Sequence, residues 1–152
     1  MNLLEILSPS SIKIALESET KDEVFEEMLH ILTGTGKITD RDRVLEDLYR
    51  RERQMSTGIE RGIAIPHCKT AGVTELVAAL GVSKQGINYE SLDGNPIHLV
   101  IMMIATLDNP GKHIAALGEI ARLMKIHGFY DKIINATSSD EVVECIKKEE
   151  LG

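Results

Sequence analysis

The sequence predicts a single-domain layered α/β fold in which a mixed, mostly parallel sheet of four to five strands is flanked by about five helices. Residues 11–17 alternate apolar and polar side chains, as a half-buried strand does. Residues 97–106 are apolar at almost every position, which is typical of a strand covered on both faces. Several other segments carry apolar residues at helical spacing behind capping residues, and such segments predict helices that cover the sheet.

Two helices are predicted in the first half of the chain. Thr20 and Glu23 match a capping box, and a pair of glycines ends the helix that follows them. Asp40 is the candidate N-cap of the second helix, which closes on a run of arginines. Residues 56–72 then form a loop with several glycines, and within it 63–65 is predicted to be a short apolar strand.

The second half of the chain predicts two longer strands followed by helices. The elements are, in order, a strand at 76–83, a connection over 85–95, a strand at 97–106, a helix from Asn109–Pro110, a short helix near 130–134 and a final helix. Proline is favoured in the first turn of a helix, and Ser138 with Glu141 matches another capping box. We expect one domain over residues 1–152.

Composition excludes several function classes. The formal net charge of −7 disfavours binding to nucleic acid, because a nucleic-acid partner requires a basic face. The longest apolar run, 99–105, is far shorter than the roughly 20 residues that a membrane span needs, so direct membrane insertion is not expected. Two cysteines form no disulfide framework, and the first residues do not match a signal peptide. We therefore expect a cytoplasmic protein.

His67 is the first candidate functional residue. It follows Pro66 at the end of a predicted strand. Because proline has a fixed φ and keeps Ile65 extended, the backbone that carries the imidazole is rigid. Functional residues of α/β sheets tend to lie at such strand ends. The alternative is a surface histidine in a turn.

His113 and Arg51 are the next candidates. His113 lies in the first turn of its helix and on the apolar side, where it is either a satisfied core histidine or a residue placed beside an anion at the helix start. Arg51 lies nearest the apolar stripe of the second helix and is expected to reach inward, whereas Arg50 points away from that stripe. The alternative is that these arginines are all solvated.

Metal and cofactor chemistry is disfavoured by spacing. His67, Cys68 and His113 could supply zinc ligands. However, His67 and Cys68 are adjacent, and adjacent residues of a strand point to opposite faces. The same adjacency argues against a Cys–His nucleophile pair. No phosphate-binding loop of the GxxxxGK[ST] or GxGxxG type occurs. We expect no cofactor and no metal.

The segment RERQMSTGIERGIAIPH, residues 51–67, resembles the active-site signature of the phosphotransferase-system IIA components of the fructose/mannitol class, which includes the nitrogen-regulatory IIA proteins. That signature has a helix-ending Arg-Glu, then Thr-Gly, a glycine loop, and Ile-Ala-(Ile/Val)-Pro-His. The segment Lys112–His113–Ile114 with its helix, and the closing segment Ser-Ser-Asp-Glu-Val-Val-Glu, are similar to further parts of the family. The resemblance covers essentially the whole chain.

The resemblance implies a phosphoryl carrier. His67 would accept a phosphoryl group on Nε2 from the phosphocarrier HPr, or its nitrogen-branch counterpart, and pass the group to a cysteine of a IIB component. By the same match Arg51 and His113 lie beside the phosphorylated ring. The residues matched to a phosphate-site loop are Thr57, Gly58 and Gly62.

The resemblance leaves two roles open. One is sugar uptake, and the other is nitrogen regulation, in which the phosphorylation state of His67 controls binding to regulatory proteins. A chain that begins at Met1 with no fused IIB or membrane segment is compatible with either role. A relative that has lost transfer is disfavoured, because Arg51, His67 and His113 are all present. Cys68 stands where family members often carry glycine, and we expect an oxidisable thiol near the site.

Overall fold

The computed structural model describes residues 1–151, and these form a five-stranded mixed sheet between two layers of helices. The strands are β1 (Ile12–Lys13), β2 (Ile63–Ala64), β3 (His67–Lys69), β4 (Val77–Ile87) and β5 (Ile97–Ala105). The α-helices are α1 (Lys21–Thr33), α2 (Arg41–Gln54), α3 (Pro110–Met124), α4 (Phe129–Ile134) and α5 (Ser139–Leu151). Two short 3-10 turns, Leu3–Glu5 and Pro9–Ser11, precede β1.

The sheet is mixed and mostly parallel, as the sequence predicts. β1, β4 and β5 follow one another across the sheet, and β2 and β3 both pair with the free side of β5. Only the β4–β5 pairing is antiparallel among the strands that the structure describes. β2 and β3 therefore form one edge of the sheet and β1 the other.

Helices bury both faces of the two central strands. On one face α1 and α2 pack against strand residues such as Ala79 and Met102. On the other face α3, α4 and α5 pack against Leu80 and Met103. Because successive side chains of a strand alternate between faces, β5 must be apolar throughout, which explains its continuous apolar sequence.

Capping places the helix starts where the sequence predicts them. The Glu23 amide donates to the Thr20 hydroxyl at 3.3 Å, and the Glu23 carboxylate accepts from the Thr20 amide at 3.2 Å. Asp40 caps α2 by accepting from the amide of Arg43 at 3.1 Å. Each cap satisfies an amide that the first helical turn leaves free.

The last capping box forms only in part. Ser138 Oγ accepts from the amide of Glu141 at 3.1 Å, as predicted. The Glu141 carboxylate, however, accepts from the amide and the hydroxyl of Thr137, both at 2.8 Å. Its partner is thus one residue earlier than the capping-box pattern indicates.

Two strands differ in length from their predictions. β1 covers two residues of the predicted 11–17, because the chain bends after Lys13 and returns to the sheet only at Leu16, whose amide donates to the Val82 carbonyl at 2.8 Å. β4 continues to Ile87 instead of ending at Ser83, since a bulge in its pairing with β5 absorbs the irregular segment after Val82.

β3 is a strand that the sequence analysis assigned to a loop. Its register with β5 pairs His67 with Met103, and the register of β2 pairs Ala64 with Val100, so both strands follow the same alignment. Pro66 has no N–H and interrupts the ladder between them. The polar residues after Pro66 are typical of a turn, so the sequence alone does not predict β3.

Within residues 1–151, no helix combines the length and the apolar composition that crossing a membrane requires.

Candidate functional site

One cleft of about 490 Å³ brings together His67, His113 and Arg51. These residues come from three elements: the edge strand β3, the first turns of α3, and the last turn of α2. The other side chains along the cleft are Asp47, Arg50, Gln54, Cys68 and Lys69. The structure therefore joins residues that lie 62 positions apart in the chain, from 51 to 113.

Strand alternation decides which face each residue of β3 occupies. His67 is paired in register with Met103, which belongs to the core beneath α3, so the imidazole lies on the α3 side of the sheet. Cys68 is buried among the core residues beneath α1 and α2, on the opposite side. The α3 helix follows β5 directly and carries His113 to the same side as His67.

A backbone contact fixes the tautomer of His67. Its Nδ1 lies 2.7 Å from the carbonyl oxygen of Ile65. A carbonyl can only accept, so Nδ1 carries the proton and Nε2 keeps its lone pair in the neutral ring. Nε2 is thus the nucleophilic nitrogen of this imidazole.

His67 is held neutral at physiological pH. Burial lowers the pKa of its imidazole below the ordinary value of 6.5, and the charge of Arg51 acts in the same direction. The hydrogen bond to Ile65 and the charge of Glu52 oppose this shift. A neutral ring is the form that attacks phosphorus.

His113 is a buried histidine with a free nitrogen. The side chain is 5% exposed, and its Nδ1 has no hydrogen-bond partner among the described residues. Its ring centroid lies 5.2 Å from that of His67, and the two planes are inclined by 45°. Burial lowers the pKa of His113 to about 4, and the charges of His67 and Lys69 contribute. It is therefore not a satisfied core histidine.

Arg51 and Arg50 both face the cleft. Arg51 Nη1 donates to the carbonyl of Met55 at 2.9 Å, which leaves other guanidinium donors available. Arg50 also lines the cleft, where the sequence analysis expected it to point away. Ion pairs hold the Arg50 guanidinium there, with N–O distances of 2.9 Å to both Asp47 and Glu46. These acids of its own helix, and not the position of the apolar stripe, set the direction of the side chain.

The matched loop residues lie outside the cleft. The Thr57 hydroxyl is buried and donates to the Glu52 carboxylate at 2.6 Å. A Cβ at Gly58 would lie 2.6 Å from Tyr89 Cδ1, so only glycine fits there. Gly62 has a φ of +80°, which favours glycine. These three residues shape the loop that leads into β2.

Lys69 is a cleft residue outside the set that the sequence predicts. It lies two positions after His67 in β3, and the period of a strand puts both residues on one face. The same period in the sequence would indicate Lys69 only if 67–69 were predicted to be a strand, and the polar residues there favour a loop. The charge of Lys69 depresses the pKa of His113.

Cys68 lies near the site, but it is not the oxidisable thiol that the sequence suggested. Its side chain is 4% exposed, and Sγ lies 3.9 Å from the carbonyl of Val44. Burial, with a contribution from the charge of Asp47, raises the pKa of the thiol to about 12. The reactive thiolate is therefore suppressed at neutral pH.

The comparison with protein families decides the assignment. A family model described as "Phosphoenolpyruvate-dependent sugar phosphotransferase system, EIIA 2" matches residues 5–149. The chain belongs to this family. It is a phosphoryl-transfer component of the EIIA type, and its cleft contains the histidine, arginine and second histidine that the sequence resemblance singled out.

Relatives of this EIIA chain include sugar-specific and regulatory proteins. It is 40% identical over 148 residues to the PTS system fructose-specific EIIABC component of Bacillus subtilis (strain 168), a match that covers 97% of the chain and 23% of that relative. It superposes on the nitrogen regulatory protein IIA-Ntr from Neisseria meningitidis with a TM-score of 0.85 and 27% identity, over 93% of this chain and 97% of that one.

The EIIA fold also recurs in a solved complex. A chain in the complex of enzyme IIAMTL and phosphorylated enzyme IIBMTL from Escherichia coli matches with a TM-score of 0.80 and 19% identity. The match covers 93% of this chain and 97% of that one. This likeness concerns the fold.

Proposed function

We propose that His67 accepts a phosphoryl group on Nε2 from an HPr-type phosphocarrier protein and passes it to a cysteine of a IIB component in fructose/mannitol-class sugar uptake. One observation carries this proposal: the hydrogen bond from Nδ1 to the Ile65 carbonyl at 2.7 Å, which directs reactivity to Nε2. Membership in the EIIA 2 family supports phosphoryl transfer as the chemistry.

The reaction is an exchange of one phosphorus bond for another. The Nε2 lone pair attacks the phosphorus of the donor's phosphohistidine, and the electron pair of the breaking P–N bond returns to the donor ring. In the second transfer a cysteine thiolate of the IIB component attacks the same phosphorus, and the P–N electron pair returns to Nε2. No proton has to leave Nδ1 in either step.

Arg51 and His113 supply stabilisation for the transferring group. A guanidinium offers a planar fork of donors to phosphoryl oxygens, and each charge-assisted hydrogen bond contributes roughly 1.5–3 kcal/mol. His113 places a neutral imidazole 5.2 Å from the His67 ring, centroid to centroid, and its position near the start of α3 adds the positive end of the helix dipole. Phosphoryl transfer depends mainly on such positioning and charge stabilisation.

Exposed apolar side chains next to the cleft residues suit a protein partner. Met55, which contacts Arg51, is 59% exposed, and Ile114, next to His113, is 65% exposed. These two side chains are available for apolar contacts with a protein that docks at the cleft. The complex of enzyme IIAMTL with phosphorylated enzyme IIBMTL supports a IIB protein as one partner.

A nitrogen-regulatory role is the second candidate. The likeness to the Neisseria meningitidis nitrogen regulatory protein extends over 97% of that protein's chain. In this role the phosphorylation state of His67 controls binding to regulatory proteins, and the chemistry at Nε2 is the same.

Phosphorylation with purified components tests the assignment of His67. Incubation with phosphoenolpyruvate and the upstream carriers should add one phosphoryl group that is acid-labile and base-stable. His67→Ala should abolish the label, whereas His30→Ala, which changes an exposed histidine on α1, should leave it intact. Undiminished labelling of His67→Ala would refute the proposal.

Onward transfer separates the two roles. Chasing the phosphorylated protein with fructose/mannitol-class IIB proteins should move the label to a IIB cysteine. If the label stays on His67, and only the phosphorylated or only the unphosphorylated form binds a regulatory protein, the regulatory role is the correct one.

A further inference from the structure

Glu52 is a buried carboxylate that the transfer steps above do not use. It follows Arg51 in the last turn of α2 and is 8% exposed. Its Oε1 accepts from the Thr57 hydroxyl at 2.6 Å, and its Oε2 accepts from the Thr57 amide at 2.9 Å. Lys21 Nζ lies 3.1 Å from Oε2, and the Tyr89 hydroxyl lies 3.4 Å from Oε1. A buried carboxylate with this many partners is rigidly held.

A chain of hydrogen bonds connects this carboxylate to the imidazole of His67. The Thr57 amide donates to Glu52, and the Thr57 carbonyl accepts from the amide of Ile65 at 2.9 Å. The Ile65 carbonyl in turn accepts from His67 Nδ1 at 2.7 Å. Thr57 and Ile65 thus transmit the position of Glu52 to the ring.

The same carboxylate fixes the arginine of the cleft. Arg51 and Glu52 share one helical turn, so the contacts of Glu52 with Thr57 and Lys21 immobilise the backbone that carries the guanidinium. The Tyr89 ring completes the enclosure, since Lys21 Nζ lies 4.9 Å from its centroid and the Tyr89 hydroxyl lies 2.7 Å from Thr57 Oγ1. Glu52 therefore helps to hold both His67 and Arg51 in position.

We propose that Glu52 is a positioning residue for phosphoryl transfer, which acts through Thr57 and Ile65 to hold His67 in its Nδ1–H tautomer while it holds the helical turn of Arg51. The inference rests on the proposed function of His67. A Glu52 that merely stabilised the loop would leave the tautomer of His67 unchanged when it is replaced, and that difference defines the test.

The decisive variant is Glu52→Gln. Glutamine keeps the size of the side chain but loses the charge that pairs with Lys21, and one of its two terminal groups can no longer accept a hydrogen bond. We expect single-turnover transfer to His67 to fall about 10- to 100-fold, the range that small misplacement of reacting groups produces. We also expect imidazole ¹⁵N spectra to show the Nε2–H tautomer of His67, which is minor in the wild type.

The matched control is Glu26→Gln, the same substitution at an exposed glutamate of α1. It removes an ion pair with Arg41 away from the cleft, so transfer and the His67 spectrum should match the wild type. A second pair of variants, Thr57→Ser and Thr57→Val, keeps the proposal testable if Glu52→Gln does not fold. Serine retains the hydroxyl that donates to Glu52 and valine does not, so Thr57→Val should slow transfer and disturb the ring more than Thr57→Ser does.

The outcomes separate this inference from the proposed function. If the wild type takes no phosphoryl group on His67, the proposed function fails. If the wild type is phosphorylated and Glu52→Gln folds with unchanged transfer or an unchanged His67 tautomer, the positioning role is refuted and the proposed function stands. Equal transfer and equal ring spectra in Thr57→Ser and Thr57→Val would refute it as well.

Discussion

The imidazole rings of His67 and His113 lie 5.2 Å apart, centroid to centroid, at the mouth of one cleft. Burial lowers the pKa of both rings, so at neutral pH the pair is uncharged and one ring does not repel the other. In the proposed reaction a phosphoryl group on Nε2 of His67 would lie beside the uncharged ring of His113. The pH dependence of this protein follows from the same pair.

The first prediction concerns the pH dependence of phosphorylation. Because the pKa of His67 lies below 6.5, the neutral nucleophile persists at mildly acidic pH, and transfer should decline only as pH falls through that lowered pKa. An NMR titration of the His67 ring and the single-turnover rate should give the same midpoint. A midpoint at or above 6.5 would contradict the buried, tautomer-fixed geometry.

The second prediction concerns the pH dependence of stability. His113 has a pKa of about 4 when folded and about 6.5 when unfolded, so between these values the unfolded state binds more protons and stability falls as pH falls. Between about pH 7 and about pH 5 this histidine should cost on the order of 2 kcal/mol of unfolding free energy. In urea unfolding, the free energy of unfolding of His113→Gln should fall less over this pH range than that of the wild type. His30→Gln, an exposed-site control, should keep the wild-type slope.

The third prediction concerns Arg51. Removing its guanidinium in Arg51→Ala should lower the transfer rate about 100-fold, because a preorganised donor to the transferring oxygens is lost. Arg51→Lys should recover only part of this loss, since an ammonium lacks the planar fork. Arg53→Ala alters an exposed arginine of the same helix and should transfer normally. Equal rates in Arg51→Ala and Arg53→Ala would mean that Arg51 is only a solvated helix end.

The fourth prediction concerns the reactivity of the two thiols. Cys68 is buried with a pKa of about 12, whereas Cys145 is half-buried. Alkylation of the native protein, followed by mass mapping, should modify Cys145 well before Cys68, and the two should react alike once the protein is denatured. Equal native rates would show that the thiol of Cys68 reaches solvent.

The fifth prediction compares two glycines. Gly58→Ala should destabilise the fold by about 1–3 kcal/mol, because the new Cβ would lie 2.6 Å from Tyr89 Cδ1 and 2.9 Å from Ser91 Cβ. Gly118→Ala, in α3 with nothing within 4 Å of the new Cβ, should instead stabilise it by about 0.5–1 kcal/mol. Chemical unfolding of both variants checks this opposite pair of shifts.

Local signals predicted most of the fold. Capping residues such as Thr20 and Asp40 located the helix starts because their contacts lie within three residues. The long apolar strand β5 was equally clear, since burial on both faces leaves no polar positions. β3 was missed because Pro66 and the polar residues after His67 resemble a turn, and only its alignment with β5 makes it a strand.

The candidate site was less accessible to sequence reasoning. His67 and Arg51 could be singled out from their places at a strand end and a helix end. Glu52 could not, because its burial depends on Lys21, 31 positions earlier, and on Tyr89, 37 positions later. Contacts between residues this far apart in the chain produce no repeating pattern in the sequence.

The interruption at Pro66 has a consequence for solubility. Ile65 lies between β2 and β3 at an edge of the sheet, where an unsatisfied amide and carbonyl could pair with another chain. The Thr57 carbonyl occupies that amide, and the His67 ring occupies that carbonyl. Because the phosphoryl group in the proposed cycle attaches to the other ring nitrogen, both contacts survive loading and unloading. Ile65 therefore offers no free backbone group for pairing with another chain, whether or not His67 carries the phosphoryl group.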